Sequence, residues 1–110
     1  MSTPVSHLLP HVSFSILFGL SVGPRHGYEL LRQIEADSGG RTHLGAGALY
    51  GTLKKLAADN LIEDMPFEGN SRRRYYRLTR GGWLRLHAEL GYYEHIAQLA
   101  RERHLLQPGI

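Results

Sequence analysis

A mainly helical domain, with one β-hairpin set ahead of a long last helix, is the fold class this sequence predicts. Three observations carry that expectation. Apolar residues recur at helical spacing through three segments of the first 59 residues. The period drops from 3.6 to 2 at Leu61, and helical spacing resumes from Thr79 and continues almost to the end.

Each element has its own signal. Residues 1–10 carry two prolines and read as an arm. Ser13 to Leu20 is apolar almost all round (Phe14, Ile16, Leu17, Phe18, Leu20), as a buried helix is, and Gly23-Pro24 stops it. A second helix is predicted from about His26 to Asp37, with Tyr28, Leu31 and Ile34 at helical spacing and Ser38-Gly39-Gly40 as its end. A third runs from about Gly45 to Asp59. At about 100° per residue its Ala46, Leu49, Leu53, Leu56 and Ala57 share one face, and Gly47, Gly51, Lys54, Lys55 and Ala58 the other.

Leu61 to Met65 then alternates as a strand, Pro66 to Ser71 reads as a turn, and Arg73 to Leu78 returns. Tyr76 and Leu78 would face inward, Tyr75 and Arg77 outward. From Thr79 to about His104, Trp83, Leu86, Leu90, Tyr93, Ala97 and Ala100 form a heptad seam. Such a helix of about 26 residues would reach about 39 Å. Gly81, Gly82 and Gly91 weaken it locally.

Composition bounds the rest. A chain of 110 residues holds one domain at most, and its 42% apolar content is that of a globular protein. So small a core, with one long apolar helix exposed, is expected to complete itself by dimerising. There is no cysteine, so disulfides and thiolate metal sites are excluded, which fits a reducing cytoplasm. The first 24 residues lack Lys and Arg, and Ile16 to Val22 is too short to span a bilayer. The expectation is a cytoplasmic protein without membrane attachment.

Charge is concentrated in one place. Arg72, Arg73, Arg74, Arg77 and Arg80 fall within nine residues without an acid, while the whole chain is only +3, so the remainder is net acidic. A cation block interleaved with Tyr75 and Tyr76 points to a polyanion, against the alternative of a merely solvated charge run.

Three helices, a two-stranded β-wing and a long helix make a winged helix-turn-helix, in which the third helix enters the major groove and the wing grips flanking backbone. Gly47 and Gly51 would let the helix approach a groove wall. Lys54, Lys55 and the wing arginines Arg72, Arg73, Arg74 and Arg77 could neutralise phosphates, and Thr52 and Lys55 are placed to affect sequence preference.

The chain resembles the PadR family of bacterial transcriptional regulators. Gly23-Pro24-Arg25-His26-Gly27-Tyr28-Glu29-Leu30 is similar to the family's signature at the second helix. Ala48-Leu49-Tyr50-Gly51-Thr52-Leu53-Lys54-Lys55-Leu56 is similar to its recognition helix, with Asn60-Leu61-Ile62-Glu63 leading into the wing. Arg73 to Thr79, with Gly82 following, resembles the wing's return and the start of the dimerisation helix. Many members carry Pro where this chain has Gly51. The resemblance implies the short subfamily: a winged helix-turn-helix over 1–78 and a dimerisation helix over 79–110, the latter assisted by Phe14 and Phe18. It further implies a homodimeric repressor on double-stranded, pseudo-palindromic operator DNA, released by a small-molecule effector or another signal. Tyr50, Lys54, Lys55 and the wing arginines inherit DNA contact. For Tyr50, on the flank of its helix, packing stays open beside a phosphate contact.

Other readings compete. Gly45 to Gly51 superficially suggests a dinucleotide loop, but the spacing is off by one and no strand precedes it. Seven histidines invite a metal, yet none has a carboxylate at ligand spacing, so no metal or cofactor is expected. Trp83, Tyr92 and Tyr93 could line an effector pocket or simply pack. No serine has His and acid partners, so no enzyme is expected. The alternative function is a winged-helix protein–protein module, for which the glycines and lysines of the third helix are poorly suited.

Overall fold

The computed structural model describes residues 7–65 and 74–107. The expected turn over 66–71, together with Arg72 and Arg73, lies outside the described residues. Among the described residues the elements run in the order α1 (His11–Leu20), β1 (Arg25–His26), α2 (Gly27–Asp37), α3 (Ala46–Ala58), β2 (Ile62–Met65), β3 (Tyr75–Leu78) and α4 (Arg80–Glu102).

The three short helices close around one core. Ile16, Leu17 and Leu20 of α1 meet Leu30 and Ile34 of α2, Leu49, Leu53 and Leu56 of α3, and Leu86 of α4. Ile62, Tyr76 and Leu78 cap it from the sheet. Removing a dozen such side chains from water is the main stabilising term of a domain this small. On α3 the wheel is right for the three leucines, but Ala46 and Ala57 are exposed. A three-leucine stripe already fills the narrow gap that α3 faces.

The hairpin is the outer part of a three-stranded antiparallel sheet of order β1-β3-β2, rather than a free two-stranded wing. Arg25 and His26 pair with Tyr76 and Tyr75, and Ile62 to Met65 pair with Leu78 to Tyr75. Two residues are too few for alternation to register, so β1 is invisible to a periodicity argument. His26, expected as the first helical residue, instead caps α2. The Glu29 amide donates to His26 Nδ1 at 3.3 Å, and the His26 amide donates to Glu29 Oε1 at 3.2 Å. This is a capping box with histidine in the usual hydroxyl position.

At the other end of the hairpin, Thr79 caps α4. Its Oγ1 accepts from the Gly82 amide at 3.0 Å and donates to the Asn60 carbonyl at 2.6 Å, while its own amide donates to the Leu61 carbonyl at 3.1 Å. The end of α3, the root of the wing and the first turn of α4 therefore meet at one threonine.

Within the protomer α4 buries Gly82, Leu86 and Glu89, while Trp83, Leu90 and Tyr93 of the expected seam stay exposed. Leu86, expected at the dimer interface, is only 3% exposed and belongs to the protomer's own core. Glu89 is 2% exposed, and its Oε2 accepts the Leu9 amide at 2.7 Å; Arg85 donates to the His7 carbonyl at 3.0 Å. Two side chains of α4 thus hold the backbone of the N-terminal arm. A charged residue does not register as an apolar position, which is why spacing alone misses Glu89 on the face that α4 turns to its own core.

Candidate nucleic-acid interface

One face of α3 is open. Gly47 and Gly51 have no neighbouring atom within 4 Å of where a β-carbon would sit, and Lys54 is exposed beside them, as is Lys55. Thr52 is half-buried at the edge. A helix whose outward side is glycine and lysine offers little bulk and two mobile cations, which is the shape and charge needed to lie in a groove of a polyanion.

Tyr50 packs on one side and is open on the other. It is 52% exposed, yet its ring and hydroxyl lie against Gly27, where any β-carbon would collide with them. The hydroxyl also bears on Tyr76, whose own hydroxyl is pushed above its usual range by burial first and then by the Asp64 charge, with Tyr50 contributing in the same direction. Arg74 opposes the shift, through its charge and through hydrogen bonding to the Tyr76 oxygen. Tyr50 therefore ties α3 to the start of α2 while leaving half its surface free.

The wing arginines fall on different faces. Arg74 shares the side of the sheet that carries Tyr76 and Tyr50, and its Nη1 lies 3.7 Å from Asp64 Oδ2. Arg77 lies on the opposite side and donates through Nε to Glu63 Oε1 at 2.8 Å. Both pairs are about half-exposed or more. Arg74 and Arg77, two arginines of a block that is acid-free along the chain, are thus answered by acids across the sheet. Charge counted along the chain misses Glu63 and Asp64, because their role depends on cross-strand register.

Away from α3, Phe14 and Phe18 stack at 5.6 Å between centroids, and Tyr93 meets Phe14 edge-on at 5.2 Å. Leu90 and Ile34 join them around a cavity of about 410 Å³, with His11, Ser15, Asp37 and Ser38 also lining it. Tyr92 sits edge-on to Tyr93 at 5.5 Å. Trp83, expected beside these tyrosines, does not line the cavity: ten residues separate it from Tyr93, about 15 Å along a helix. Ala97 and Ala100 are half-buried further along. Among the described residues no three His, Asp or Glu side chains group as a metal site, and no helix is long and apolar enough to cross a membrane.

The sequence pattern of the transcriptional regulator PadR-like family matches residues 16–88, from α1 into the first half of α4. The chain belongs to that family. A 37.1 kDa uncharacterized protein of transposon TN4556 from Streptomyces fradiae is 43% identical to this PadR-like chain over 67 residues. Those residues make up 61% of the chain but only 18% of the Streptomyces protein, so the chain spans under a fifth of that relative. Among solved structures, a PadR family transcription regulator from hypervirulent Clostridium difficile superposes with a TM-score of 0.71 at 23% identity, covering 84% of this chain and 97% of that one. Bacillus subtilis PadR in complex with operator DNA gives a TM-score of 0.63 at 26% identity, covering 73% and 46%. The fold is the winged helix of PadR regulators, in keeping with the family.

Proposed function

We propose that this PadR-like chain is a homodimeric, sequence-specific DNA-binding repressor that an effector releases. The observation that carries the reading is the open face of α3: Gly47, Gly51, Lys54 and Lys55 without apolar cover, flanked by a half-exposed Tyr50. Residues 1–78 form the reading head, and Arg72, Arg73 and Arg74 of the wing meet phosphates beside it. The operator complex of Bacillus subtilis PadR supports the same use of the fold.

Dimerisation falls to the apolar surface that the protomer leaves uncovered on α4. Leu90, Tyr92, Tyr93 and Ile96 are each about two-fifths exposed, next to Phe14 and Phe18. Residues 79–110, with α1, form the interface, Ala97 and Ala100 continuing it. An effector entering the cavity bounded by Phe14, Phe18, Leu90 and Tyr93 would move α4. Because Thr79 bonds α4's first turn to the end of α3, that movement would change the separation of the two recognition helices.

The test is sedimentation of the purified chain together with titration of duplex DNA from its own promoter region. A dimer that binds this duplex, and loses about 10³- to 10⁴-fold in affinity between about 50 and about 200 mM salt for six to eight phosphates met, supports the reading. A monomer indifferent to duplex DNA at low salt refutes it.

A further inference from the structure

We propose that Asp64 is a specificity-determining residue of the DNA interface, a carboxylate that occupies Arg74 until a phosphate in the correct register takes its place. The inference rests on the DNA-binding reading above. An arginine free to meet any phosphate raises affinity for every sequence alike, because phosphates carry no sequence information. Arg74 is not in that condition. Its guanidinium lies 3.7 Å from the Asp64 carboxylate and also donates to the Tyr76 hydroxyl. Asp64 and Tyr76 are register partners across β2 and β3, so the backbone itself fixes the carboxylate beside the arginine.

This cluster stands on the recognition-helix side of the sheet, in reach of Tyr50. The pair is exposed, with 75% and 55% of the two side chains open to solvent, so it is weak enough to be exchanged. When α3 is seated on its site, a phosphate held against Arg74 displaces the carboxylate and gains a charge-assisted contact. When the protein rests loosely on unrelated DNA, the carboxylate stays and repels the backbone. Repulsion that acts mainly on wrong partners is how a difference in affinity becomes specificity. Glu63 and Arg77 supply an internal control, since they form a similar pair on the opposite face.

The experiment compares the full chain with Asp64→Asn and Glu63→Gln, which make the same change of charge on opposite faces. Binding is measured by fluorescence anisotropy to a duplex from the chain's own promoter region and to a random duplex of equal length. Asp64→Asn is expected to tighten the random duplex roughly five- to tenfold and the promoter duplex about twofold or less, and to steepen the salt slope on random DNA by about one to two. Glu63→Gln is expected to leave the promoter-to-random ratio within about twofold. The proposal is overturned if Asp64→Asn leaves that ratio unchanged or weakens both duplexes, or if Glu63→Gln reproduces its effect. A wild-type chain that binds neither duplex, or both equally, refutes the DNA reading and this inference with it. A wild-type chain that discriminates, beside an Asp64→Asn variant with the same ratio, refutes the role of Asp64 alone. Thermal melting checks that each variant folds, and Asp64→Ser gives a second removal of the charge should the first not fold.

Discussion

The carbonyl of Leu61 lies so close over Gly82 that no β-carbon fits between them. This approach seats the first turn of α4 on the segment joining α3 to the wing, next to the hydrogen bonds of Thr79. The junction is one of the direct links between the long helix and the reading head, beside Leu86 in the core and the contacts of Arg85 and Glu89 with the N-terminal arm.

Replacing Gly82 with alanine should therefore destabilise the fold by about 2 kcal/mol or more, since backbone must shift and outweighs the roughly 1 kcal/mol that alanine adds to helix propensity. Gly81, whose β-carbon position is at an ordinary 3.5 Å from the Asn60 carbonyl oxygen, is the control and should be near neutral or stabilised as alanine. Urea denaturation of both variants measures the difference, and equal stabilities would refute the account.

Gly27→Ala should displace Tyr50 from the start of α2 and lower DNA affinity, although Gly27 itself is buried. Tyr50→Ala should lower it as well. If the two residues act through one contact, the double variant will bind about as weakly as the worse single one, whereas additive losses would mean independent roles. A double-mutant cycle on the promoter duplex reads this.

Lys54 and Lys55 have no acid partner among the described residues. Substituting each with alanine should reduce the slope of log affinity against log salt by roughly 0.9 for every phosphate that the lysine neutralises. Arg77→Ala, on the far face and paired with Glu63, should change the slope less than either lysine. The reverse order would place the interface on the other side of the sheet.

Tyr76 carries a pH dependence whose sign is set by its surroundings. Burial, and then the Asp64 charge, raise its hydroxyl above the ordinary value of 10.0. The unfolded chain therefore ionises first. The stabilisation is complete below about pH 10 and is lost as pH rises through the folded value. Thermal melting between about pH 9 and pH 11 should fall more steeply for the wild-type chain than for Tyr76→Phe. Parallel curves would show that the hydroxyl contributes nothing.

Much of this molecule is legible without coordinates because it follows from local periodicity. The stripe of Leu49, Leu53 and Leu56 predicts α3 and leaves Gly47, Gly51, Lys54 and Lys55 off its buried side. The alternation in β3 puts Tyr76 and Leu78 inside. What tertiary structure alone decided concerns partners far apart in the chain. Glu63 and Asp64 meet arginines because β2 and β3 pair in one register. Tyr50 meets Gly27 because α3 crosses the start of α2, and Glu89 is buried because it holds the Leu9 amide across 80 residues. Periodicity reports how a segment divides itself between water and core. It is silent on which distant group satisfies a buried or charged side chain, since that depends on how the elements are brought together.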